Sequence, residues 1–96
     1  MYIAVIRAKM RLSERGTLKD KRSVLKRLMA EMEHQHRFSV AEVGYHDSTA
    51  FVEVGLVKAA SDGAIARRYI DHVSQLLYED PRFCYVDLTT EIIPMG

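Results

Sequence analysis

The sequence predicts an α+β fold of order βαββαβ, with a four-stranded antiparallel sheet and two helices on one face. Three observations carry that expectation. The chain opens on a period-two pattern with one clean apolar face. Two later segments repeat apolar residues at helical spacing behind a capping residue. Two strand-like runs lie back to back between the helices, joined by a turn.

The opening segment is "MYIAVIRAKMRL". Tyr2, Ala4, Ile6, Ala8, Met10 and Leu12 share one face, and Ile3, Val5, Arg7, Lys9 and Arg11 share the other. One apolar face at period two is a half-buried strand. "SERG" is a loop that brings the chain to "TLKD". There Thr17 is the expected N-cap and Asp20 the residue that reaches back to complete a capping box. Leu18, Leu25, Leu28, Met29 and Met32 then form one stripe of a helix running to about His36.

A second strand is expected over 38–45, "FSVAEVGY". Its uneven alternation suits a bulge or an edge position. Turn composition at 44–48 leads into a third strand over 49–59. Ala50, Val52, Val54 and Leu56 face one way there, and Thr49, Phe51, Glu53, Gly55 and Val57 the other. Ser61 is the expected cap of the second helix and Asp62 an acidic residue of its first turn. Its stripe is Ile65, Ala66, Tyr69, Val73, Leu76 and Leu77, with Arg67 and Asp71 paired outside it, and Pro81 follows the stop. The fourth strand is expected over 83–93. Cys84, Val86 and Leu88 are placed toward the helices, and Phe83, Tyr85, Asp87, Thr89 and Glu91 on the open side. This order is the ferredoxin-like split βαβ pattern. Right-handed crossovers put both helices on one sheet face. Residues 1–96 are expected to form a single domain.

Hydrophobic content of 48% and charged content of 28% are ordinary for a globular chain. The single Cys84 excludes an internal disulfide and suits a reducing compartment; on a core face it would be inert. No apolar run approaches the roughly 20 residues of a membrane span. The N-terminus is broken by charge too early for a signal peptide. A cytoplasmic protein with no membrane partner is expected.

Net charge is +1, yet its placement is lopsided. Residues 1–27 hold nine basic and two acidic side chains, and residues 28–96 hold five basic and eleven acidic. Within "TLKDKRSVLKR", five of eleven residues are Lys or Arg, at a helix start where the dipole disfavours cations. Lys19, Arg22 and Lys26 cluster along one flank, while Lys21 falls inside the apolar arc and must snorkel or meet a buried partner. Two outcomes are open: a solvated flank neutralised by the acidic half, or a phosphate-facing ridge.

The same stretch carries a family resemblance. "TLKDKRSVLKRL" (17–28), "FSVAEVGYHD" (38–47) and "EVGLVKAASD" (53–62) make the chain similar to the YlxP-like family of small bacterial proteins. Those proteins typically carry Ser-Leu-Lys-x-Lys-Arg at this helix start. Thr17 replaces the Ser with its capping chemistry preserved, and Leu18, Lys19, Lys21 and Arg22 match. The resemblance implies a ferredoxin-like fold without a settled activity. It also implies a ribosome- or RNA-linked role, since such genes often lie among those for translation and transcription factors.

The leading functional expectation is a non-enzymatic module for RNA or a ribonucleoprotein. Lys19, Lys21, Arg22 and Lys26, with Arg7, Lys9 and Arg11 of the first strand, would meet phosphates. The alternative is a homodimer or scaffold formed through the open sheet face by Ile3, Val5, Phe51, Val57 and Tyr85. A second alternative is a small-ligand regulatory domain, because ACT-type domains share the architecture. Base stacking of the RRM kind is weakly supported. "AFVEV" puts Phe51 on the correct face, but Asp47 and Ser48 stand where that motif wants a basic residue and Gly. No catalytic residue, metal or cofactor is expected. His34 and His36 do not face together, paired cysteines are absent, and the first loop lacks the glycine-rich stretch of acylphosphatases.

Overall fold

A computed structural model describes residues 1–96. The elements are β1 (Tyr2–Leu12), α1 (Leu18–His34), β2 (Ser39–Gly44), β3 (Phe51–Ala60), α2 (Gly63–Glu79) and β4 (Phe83–Pro94). The strands form one antiparallel sheet in the order β2-β3-β1-β4. This is the ferredoxin-like arrangement, with α1 packed against β2 and α2 against β1 and β4. No helix is long and apolar enough to cross a membrane.

The alternation of β1 decides the layers. Ala4, Ile6, Ala8 and Met10 are fully buried under the helices. Opposite them, Leu56, Val54 and Val52 of β3 pair with Ile6, Ala8 and Met10 and point the same way. Each large apolar side chain enclosed there contributes about 1.5–3 kcal/mol relative to exposure. From above, α1 supplies Leu25, Leu28 and Met32, and α2 supplies Ala66, Ile70, Val73 and Leu77. Ile70, at the centre of the α2 face, is a core residue the expected stripe omits.

The capping box forms as expected. The Asp20 backbone N–H donates to Thr17 Oγ1 at 3.2 Å, and Thr17 N–H donates to Asp20 Oδ2 at 2.9 Å. Those bonds hold the Asp20 carboxyl below the usual carboxylate range. α2 differs in its cap: Asp62, not Ser61, receives the Ile65 N–H, at 2.8 Å. β3 already runs to Ala60, so Asp62 is the residue placed to reach the first free N–H groups. The first helix ends at His34 rather than His36, and Arg37 turns the chain with a φ of 60°.

Two irregularities reshape the open face. β2 is an edge strand with a shift between Glu42 and Gly44. Val43 lies across Gly55, where an added Cβ would sit 3.2 Å from Val43 Cγ1. β4 carries a second shift: Lys9 pairs with Asp87, but Met10 pairs with Tyr85. Val86 is the extra residue, and side-chain parity inverts on either side of it. Phe83 therefore enters the core, and Cys84 emerges on the open face opposite Arg11. Both placements reverse the sequence expectation.

Candidate nucleic-acid interface

Ion pairing shows which cations remain free. Arg7, Lys21, Arg67 and Arg82 have carboxylate partners within 4.0 Å. Lys19, Arg22 and Lys26 have none and are exposed, and the same holds for Arg15 and Arg27. The acidic half of the chain does not neutralise this surface. Asp20, the acid in the first turn of α1, is committed to Thr17. Lys19, Arg22 and Lys26 rise along α1 by about 10 Å, from 1.5 Å per residue.

Lys21 must be removed from that ridge. It occupies a core position of α1, in line with Leu25, Leu28 and Met32, and is only 1% exposed. Its Nζ donates to the Tyr45 carbonyl and lies 3.8 Å from Glu42 Oε2. Tyr45 holds that carbonyl in place with a left-handed φ of 57°. Glu42 is shared, since its other oxygen lies 2.8 Å from His46 Nδ1. A phosphate has no path to the Lys21 ammonium.

Beside the ridge, the β1–α1 loop, α1 and the approach to β4 enclose a cleft of about 710 Å³. Arg15, Arg27 and Arg82 line it together with Glu14, Asp20 and Ser13. Arg82 is already engaged there. It holds Asp80 at 2.7 and 2.9 Å and Glu31 at 2.8 and 3.1 Å, tying α1 to the start of β4. Burial pushes the Asp80 carboxyl up, but the Arg82 hydrogen bonds and charge outweigh it and hold that carboxyl below its ordinary range. Hydrogen bonds to Asp80 and then Glu31 hold the guanidinium above its ordinary value. Arg15 and Arg27 belong to the basic half of the sequence but lie outside the ridge it predicts. A helical projection sets Arg27 on the flank opposite Arg22, so only the folded loop brings it beside Arg15.

The first-strand cations sit on the other side of the sheet. Arg7 donates to Glu53 at 2.9 and 3.2 Å. Lys9 lies over the Tyr45 and Phe51 rings, 4.6 and 5.2 Å from their centroids. Arg11 stands across from Cys84. Cys84 Sγ is 3.7 Å from Ser13 Oγ. Hydrogen bonding to Ser13, then to Arg11, lowers the thiol from its ordinary value. Arg7 and Lys9 thus face away from the ridge, while Arg11 lines a cleft of about 650 Å³ together with Arg15 at the end of β1.

The expected dimer patch changes by one residue. Ile3, Val5, Phe51 and Val57 lie on the open face, but Tyr85 does not. The β4 bulge turns Tyr85 toward α2, where its ring lies 6.1 Å from that of Tyr78. Ile93 takes its place, paired with Ile3 at the apolar end of the face.

Comparison with known proteins gives the chain a family. Residues 3–90 match the family described as "Protein of unknown function (DUF503)". A curated relative is the "Uncharacterized protein YlxP" of Bacillus subtilis (strain 168), 29% identical over 58 residues. That alignment covers 60% of this chain and 63% of the relative, so the chain spans less than two thirds of the relative's length. The family match extends over nearly the whole chain, and the protein belongs to the DUF503 family.

Proposed function

We propose that this DUF503 protein is a non-enzymatic module that binds RNA or a ribonucleoprotein through the N-terminal half of α1. The observation that carries the reading is the unpaired set Lys19, Arg22, Lys26, Arg15 and Arg27, exposed around one helix start with no carboxylate within 4.0 Å. The ridge spans about 10 Å along the helix, enough to meet more than one phosphate. Arg15 and Arg27 line the adjoining cleft, where a neighbouring phosphate would enter. Backbone contacts of this kind position a nucleic acid without reading its bases.

Such binding releases counterions. Three to five contacts give a log–log salt slope of about −2 to −3.5 on single strands, from about −0.7 per contact. The variant Lys19→Glu with Arg22→Glu tests the site, since both residues are exposed and unpaired. Its expected result is a folded protein whose affinity for a single-stranded RNA falls and whose salt slope becomes shallower. Unchanged affinity and slope would remove the ridge from the reading.

A second reading concerns self-association through the open sheet face, and the cross-strand register favours it. Ile93, Ile3 and Ala59 form one row, and Val5 pairs with Val57 in the next. Farther along, Lys9 of β1 stands between Glu53 and Asp87, and Arg7 holds Glu53, so this end of the face offers both signs of charge to a second copy. Light scattering of the protein should report a dimer, and Val5→Asp should convert it to a monomer. A wild-type monomer at high concentration rules this reading out.

A further inference from the structure

The opposite end of α1 carries a second concave site, with different chemistry. A cleft of about 610 Å³ opens between the turn after α1, β3 and α2. Its cationic lining is Arg37, Lys58 and Arg68, beside the imidazoles of His36 and His72, and no carboxylate lines it. We propose that this cleft binds a phosphorylated small molecule, with the phosphate held by Lys58, Arg68 and the two imidazoles. The proposal does not rest on the nucleic-acid reading, which concerns the other end of the helix.

Lys58 is the fixed point. Its Nζ donates to the His36 carbonyl at 2.9 Å and lies over the Tyr69 ring at 4.1 Å and the Phe38 ring at 5.3 Å from the centroids. An ammonium has three donors. One is used, and the ring faces hold the group without supplying an anion. Beside it, the His36 and His72 rings meet edge to face with centroids 5.4 Å apart. Arg68 is exposed on α2 and has no carboxylate within 4.0 Å. Cationic groups from three parts of the chain therefore converge without a counter-ion.

Two further observations agree. His36 is held below the ordinary imidazole value, first by burial and then by the charges of His72 and Lys58. Glu31 opposes this as the weakest influence, and its carboxylate is bound to Arg82. Arg37, moreover, adopts a φ of 60°. That region disfavours any residue with a Cβ, and glycine would fill it without strain. The chain places a guanidinium there instead, at the rim of a cationic cleft.

The ligand class follows from the donors and the shape. A phosphate offers three strong acceptor oxygens and up to two charges, which suits this donor set better than a single carboxylate. The volume is that of a small-molecule site. Tyr69 and Phe38 supply an apolar wall for the organic part.

The test is an NMR titration of the imidazole resonances with inorganic phosphate and with phenyl phosphate. Both should shift the His36 and His72 signals saturably, with phenyl phosphate binding more tightly. Arg68→Glu, at an exposed position outside the core, should weaken both by about tenfold or more, the scale of one lost charge-assisted hydrogen bond. Lys19→Glu with Arg22→Glu should leave both unchanged, which separates this site from the ridge. The proposal fails if the signals do not saturate, if Arg68→Glu binds as the wild type does, or if phenol alone gives the same shifts. It fails also if a 5′-phosphorylated RNA takes the cleft far more tightly than either probe, since the site would then belong to the nucleic acid.

Discussion

Two lysines leave the surface of this protein to reach backbone carbonyls at opposite ends of β2, and their surroundings differ. Lys21 comes from α1 to the Tyr45 carbonyl, and Lys58 from β3 to the His36 carbonyl. Beside each carbonyl the chain takes a positive φ, at Tyr45 itself and at Arg37. Lys21 is sealed by the core and has a carboxylate, Glu42, at 3.8 Å. Lys58 opens onto a cleft lined by other cations and by no acid. An internal acid makes the first lysine a fixture of the fold. The second has donors and field to spare, which is the condition for meeting a ligand.

Unfolding experiments can break that comparison. Lys21→Ala removes a fully enclosed side chain and deprives the Tyr45 carbonyl of its donor. The expected loss is about 3 kcal/mol, the range for a buried side chain removed from a paired site. Lys58→Ala gives up a cation–π contact and a hydrogen bond that water in the cleft can replace. Its expected cost is about 1 kcal/mol. Urea midpoints at constant slope check both. Equal losses would mean that Lys58 is as structural as Lys21, and would weaken the case for a ligand there.

The same comparison marks how far the sequence could be read. Periodicity and capping suffice for the element order, because one face of β1 is apolar from Tyr2 to Leu12 and Thr17 and Asp20 are spaced for a capping box. The helical projection also singled out Lys21 as a cation in an apolar arc. Its partners depend on the β2 bulge, which the uneven alternation of "FSVAEVGY" and its Gly44 suggest, and on the left-handed turn at Tyr45, a residue that carries a Cβ and gives no such signal. Nothing local marks the β4 bulge. "FCYVDL" alternates plausibly in either parity, and only pairing with β1 reveals that Val86 is the extra residue. One unmarked insertion was enough to exchange Phe83 with Cys84 and to turn Tyr85 away from the open face. The cationic cleft was missed for a related reason. His36, Lys58 and His72 belong to three separate segments, and each looks unremarkable alone.

Acid titration sharpens the contrast at a smaller scale. The groups around His36 are His72 and Arg68 from α2, Lys58 from β3, Glu31 from α1 and neighbouring Arg37. Burial and the first cations among these depress the imidazole in the folded state. The unfolded chain, with an ordinary histidine near about 6.5, then binds more protons over the interval between the two values. Stability must fall as pH drops through that interval and level off below the folded value. The ring is partly exposed, so the effect should be smaller than either lysine substitution. Urea midpoints at about pH 7.5 and about pH 5.5 should show a decline that His36→Gln reduces. Phosphate should reduce it too, because an anion in the cleft offsets the charges that depress the imidazole. If His36→Gln leaves the decline unchanged, the His36 imidazole is not its source. If phosphate leaves it unchanged in the wild type, the positive field at this end of β2 has no anion to answer it, and Lys58 joins Lys21 as part of the scaffold.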